Sequence, residues 1–83
     1  MEIVKDSKIR GRFKGWTGRG VYRLANGQVW KQVHYKYSYH YAYAPRAVLW
    51  QDGSTYYLEV EGMSDMIEVR RGSSSDLVDE NDD

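Results

Sequence analysis

The 83-residue chain contains no cysteine and a single proline, Pro45. The first absence excludes disulfides and thiolate metal sites, the usual staples of a small domain. No apolar run approaches the ~20 residues that a membrane helix needs. The opening segment Met1–Asp6 has acidic residues and no apolar stretch, so no signal peptide is expected. These absences together predict one cytoplasmic domain without membrane contact. Net charge is also missing, with twelve basic residues against twelve acidic ones. That balance hides an asymmetry. Residues 1–71 hold all twelve basic and seven acidic residues, a charge of +5, and residues 72–83 carry −5.

Aromatic residues are what the chain has in quantity, with eight tyrosines and three tryptophans. Large rings give a small domain buried area that it otherwise lacks. Strand signals dominate. Ile9, Gly11 and Phe13 alternate with Arg10, Arg12 and Lys14, the pattern of a half-buried strand. A glycine-rich connection is expected at Gly15–Gly20, then a strand from Val21 to Leu24. Asn26-Gly27 marks a tight hairpin of type I′, and a long extended run follows from Gln28 to Ala44. Pro45 interrupts it. Ala47–Gln51 and Ser54–Val60 flank a second hairpin at Asp52-Gly53. Glu61-Gly62 is a turn, and Met66–Arg71 is the last strand. The expectation is an all-β fold of five to six strands over residues 1–71. A small SH3-like barrel, or a strongly curved antiparallel sheet, would protect the sheet edges. The long run would bend to serve both halves. The acidic tail, 72–83, is expected to be disordered.

Tyr35, Tyr37, Tyr39, Tyr41 and Tyr43 recur at strict period two. In a strand all five share one face, and the row spans roughly 26 Å. His34, Lys36, Ser38, His40, Ala42 and Ala44 fall on the other. So long a row exceeds what one small core can cover unless the strand bends or a partner buries some rings. Three readings stay open. The row can be structural, through cross-strand aromatic pairs. It can be a surface for self-association or another protein, flanked by Trp30 and Trp50, with Lys36 and His40 nearby. It can be a stacking platform for single-stranded nucleic acid, with Lys36, Arg12, Lys14 and Arg19 meeting phosphates.

Signals for catalysis are weak. Gly15, Gly18 and Gly20 lack the Gly-Lys-Ser/Thr sequence and following helix of a phosphate loop. His34 and His40 would be ~20 Å apart on a straight strand, too far to act as the acid–base pair of a small nuclease or toxin. Two histidines without cysteine or a carboxylate cluster do not make a metal site. Glu59, Glu61 and Glu68 read as a solvated face, as do Arg10, Arg12 and Lys14. No catalytic residue and no cofactor is implied. The leading expectation is a non-enzymatic binding or assembly module, most simply a homo-oligomer. Single-stranded nucleic-acid binding is the alternative, and a small nuclease or toxin ranks last. The acidic tail would add solubility, or fold back onto the basic body and compete with nucleic acid.

The stretch Phe13-Lys14-Gly15-Trp16, the run Val21-Tyr22-Arg23-Leu24-Ala25-Asn26-Gly27-Gln28-Val29-Trp30-Lys31-Gln32, the tyrosine row through Pro45 and the closing Val60-Glu61-Gly62-Met63-Ser64 carry a resemblance. Together they resemble small uncharacterised bacterial proteins, some encoded in integron gene cassettes. The resemblance covers most of the body and none of the tail. It implies a compact β domain and carries over no functional residue.

Overall fold

A computed structural model describes residues 1–73 and 75–77. Eight strands form: β1 (Glu2–Lys8), β2 (Arg12–Gly18), β3 (Val21–Arg23), β4 (Val29–Gln32), β5 (Lys36–Tyr43), β6 (Arg46–Asp52), β7 (Thr55–Val60) and β8 (Ile67–Arg71). They make a six-stranded antiparallel sheet in the order β1-β6-β7-β8-β4-β3 and a two-stranded ribbon of β2 and β5.

One long hairpin, folded over twice, generates both sheets. β1 pairs with β6 up to Lys8 opposite Arg46. The ladder then turns a corner, where Ile9 N–H donates to the Pro45 carbonyl and Ala44 N–H to that of Gly11. It resumes with Arg12 opposite Tyr43 and runs to Gly18 opposite Lys36. A second corner follows, at which Gln32 N–H donates to the Gly20 carbonyl. Val21 opposite Lys31 restarts the pairing, and β3 and β4 close the hairpin. The first and last thirds become the two flanks of the six-stranded sheet, with β7 and β8 between them. The middle third, β2–β5, is a sheet of its own.

The expected all-β class is correct, but the barrel is not. An isolated bridge joins Ile9 to Leu24, yet no continuous ladder closes the sheet. Eight strands form where five to six were expected, because the folds in the hairpin cut its arms into segments. The run from Gln28 to Ala44 does serve both sheets, but as two strands separated by Val33–Tyr35. Residues 2–8, given no strand from sequence, form β1, and the glycine-rich Gly15–Gly18 belongs to β2. The Asn26-Gly27 hairpin is present in another form. Its loop is Ala25–Gly27, closed by Gly27 N–H to the Leu24 carbonyl. Only Gly27 has positive φ, at 95°. That is a three-residue turn with a left-handed closing glycine, not type I′. Of the tail expected to be disordered, Ser74 and residues 78–83 lie outside the described residues, whereas 75–77 form a helical turn. In that turn Asp76 pairs with Lys31 on β4 at 3.1 Å.

The core is shared between the sheets. Phe13 and Trp16 of β2 pack with Tyr22, Leu24, Leu49, Leu58 and Val60. The Trp16 ring meets Phe13 and Tyr22 edge-on, at 5.6 Å between centroids in each case. This geometry favours aromatic pairs beyond their buried area.

Candidate functional site

The site is built on the ribbon, and the register of β2 against β5 decides what it displays. Directly opposed residues share a face. Phe13 opposes Ala42 and Trp16 opposes Ser38 on the inner face, so each large ring faces a small residue. Between these pairs the register steps, with Phe13 on Ala42 and Gly15 on Tyr39. Lys14 therefore faces two residues of β5, His40 and Tyr41. Gly15 absorbs the step at φ 90°. A Cβ there would lie 2.0 Å from the Ser38 carbonyl oxygen and 2.6 Å from the His40 nitrogen. The extra residue is on β5, and β2 points Phe13 and Trp16 inward although they are three residues apart. β5 keeps its strict alternation.

All five tyrosines consequently face outward. Their fractional exposures run from 53% to 73%. Of the two expected ways of burying rings, a bend or a partner, the bend does not bury them within the chain. On the same face Arg12 opposes Tyr43 and Thr17 opposes Tyr37. Lys14 is exposed beside Tyr41, and Arg19 follows the end of β2 near Tyr35. Among the described residues, the far side of β5 pairs with no strand. The display is a row of phenols with cations along one side and an open strand edge along the other.

A buried polar cluster holds the end of the ribbon. The Tyr22 hydroxyl donates to Gln32 Oε1 at 2.6 Å and accepts from Thr17 N–H at 3.1 Å. Gly20 N–H also donates to Gln32 Oε1, at 3.0 Å. Gln32 Nε2 donates to the carbonyls of His34 and Lys36, both at 3.3 Å. This one buried amide thus fixes the corner where the chain leaves β4 and enters β5. Burial pushes the Tyr22 hydroxyl pKa up, and the Thr17 hydrogen bond offsets part of that rise.

The remaining sequence candidates lie elsewhere. Trp30 is buried on β4, its ring tilted against Tyr56 at 5.0 Å and covered by Arg71 at 5.6 Å, so it does not flank the row. Trp50 is half-buried on β6, and its indole N–H donates to Glu59 at 2.8 Å. Lys36 and His40 are on β5 but on the face opposite the tyrosines. Lys36 pairs with Asp65, whose carboxyl is thereby held below its usual range. His40 lies against Gly62. His34, at the bend before β5, pairs with Glu68 at 3.1 Å. The two histidines thus have separate neighbours and do not converge. Among the described residues, no three His, Cys, Asp or Glu side chains are grouped to hold a metal. Nor is any helix long and apolar enough to cross a membrane.

Charge completes the picture, and it was legible in the sequence. Between Asp6 and Asp52 there is no acidic residue, but there are nine lysines and arginines. The whole ribbon falls inside that span. Lys31, Lys36 and Arg46 are paired, with Asp76, Asp65 and Asp6. Arg12, Lys14 and Arg19 form no ion pair among the described residues. No family model, curated protein or solved structure matches the chain, so no relative assigns a partner to this face.

Proposed function

We propose that the protein is a non-enzymatic binding or assembly module that engages its partner through the outer face of β2–β5. One observation carries this reading: five alternating tyrosines, four on one face of β5 and Tyr35 just before it, are all more than half exposed. Burial drives most aromatic placement, and a monomer rarely leaves so large a contiguous aromatic surface in water without a use for it. Tyrosine suits the role, because it offers rigid area and a polar tip at low entropic cost. The inner face already anchors the ribbon through Phe13 and Trp16, which leaves the outer face free of a structural duty. An enzyme reading has less to stand on, since His34 and His40 face different neighbours.

The test is the triple substitution of Tyr37, Tyr39 and Tyr41 by serine. The variant is expected to fold, with stability lowered by at most about 1 kcal/mol per residue through lost strand propensity. Association with a second copy, read by light scattering over a wide concentration range, is expected to vanish if wild type shows it. Unfolding of the variant would return these rings to a structural role.

A further inference from the structure

We infer that the occupant of the tyrosine face is a single-stranded nucleic acid, which deepens the binding reading above and rests on it. Aromatic exposure alone does not choose a partner, but the charge around it does. A protein surface typically offers charges of both signs, and an interface between copies of this chain would oppose like charges. The outer face of β2–β5 carries Arg12, Lys14 and Arg19 and no carboxylate among the described residues. The acid that reaches β5, Asp65, is bound to Lys36 on the other face. A polyanion is therefore favoured over a protein of mixed charge.

The geometry fits a strand rather than a duplex. Base faces are buried inside a duplex, and flat phenol rings in a row need bases that are splayed out. Successive tyrosines stand two residues apart, ~6.6 Å on an extended strand. Each ring can take the face of one base, which gives a site of about five nucleotides, near the small end of known single-strand sites. The cations lie along one flank only, on β2. A strand lying lengthwise on the row would thus direct its phosphates toward β2 and its bases over β5. Stacking is tolerant of sequence, so little base preference is expected. The phenol and Thr17 hydroxyls on this face are not committed to either sugar, so the shared feature is an unpaired polynucleotide.

The experiment is fluorescence anisotropy of the full chain with labelled oligo(dT) and oligo(rU) of about 15 nucleotides, with a duplex of the same length as control. Binding of one or both single strands, and weaker binding of the duplex, is expected. Affinity should fall with salt with a logarithmic slope of about −2, for three phosphate contacts at about −0.7 each. Arg12→Ala or Lys14→Ala should reduce that slope by about 0.7. Tyr39→Ala should weaken binding roughly five- to hundred-fold, with unchanged circular dichroism. The two oligomers distinguish RNA from DNA as the source of the strand. No binding at low salt by folded protein overturns the inference, as does binding that Tyr39→Ala leaves unchanged. Light scattering on the same samples separates the two levels. Tyrosine-dependent self-association without oligonucleotide binding would overturn the nucleic-acid inference and leave the binding face intact. Neither association nor oligonucleotide binding would count against both.

Discussion

Two aromatic sets sit back to back in this protein and meet opposite fates. Phe13, Trp16 and Tyr22 are buried, in mutual contact, with the Tyr22 hydroxyl satisfied by Gln32. Tyr35 stands just before the adjacent strand and Tyr37 to Tyr43 on it, with their rings in solvent. The two sets belong to one ladder, so strand propensity does not separate them. The register does. Opposite Trp16 and Phe13, β5 carries the small residues Ser38 and Ala42, the first exposed and the second half-buried. The alternation then puts the phenols on the outer face. Aromatic content therefore divides into a set that holds the fold and a set that the fold displays.

The largest effect should come from the buried set. Trp16→Ala is expected to lose about 3–5 kcal/mol of stability in urea unfolding, the cost of removing a large ring from a closed core. Gly15→Ala should lose about 3 kcal/mol or more, since its Cβ would strike the backbone of Ser38 and His40. It also attacks the comparison itself, because Gly15 is the residue that keeps Phe13 and Trp16 inward while the tyrosines stay out. A stable Gly15→Ala variant would mean that the register step does not exist. Next in size is Gln32→Leu, which strands Gly20 N–H and leaves the Tyr22 hydroxyl only the longer 3.3 Å bond to the Gly15 carbonyl for its proton. A cost of about 2 kcal/mol is expected, with hydrogen exchange accelerated first at the start of β5.

The smallest effect is in pH. Burial raises the folded pKa of Tyr22 above its unfolded value. Its contribution to stability is then complete below about pH 10, the ordinary tyrosine value, and is lost as pH rises through the folded value. The urea midpoint should decline above about pH 10 in wild type, and less steeply in Tyr22→Phe. An identical decline in both proteins would place Tyr22 in a more solvated setting.

Much of this was open to reading in the sequence, and what was hidden has a common cause. Period-two tyrosines identified a strand with one aromatic face. The hairpin at Asn26-Gly27 and the proline at the end of β5 were also legible. The outward direction of the row was not, because it depends on Phe13 lying opposite Ala42, some thirty residues away. The same long-range pairing makes Gly15–Gly18 a strand with a register step, where local composition reads as a loop. Trp30 illustrates the converse error. A tryptophan near the tyrosines in sequence was grouped with them, but β4 pairs with β3 and β8 and carries it into the core. The segregation of charge needed no pairing. The acid-free stretch from Ser7 to Gln51 was present in the sequence and marks the ribbon more sharply than the glycines do.

The central claim is that Tyr35 and the four phenols of β5 face solvent while Tyr22 is enclosed. Nitration of the folded, dilute protein, mapped by mass spectrometry, tests it most directly. Modification at Tyr35, Tyr37, Tyr39, Tyr41 and Tyr43 with sparing of Tyr22 is expected. Protection of the row in protein shown to be monomeric would contradict it.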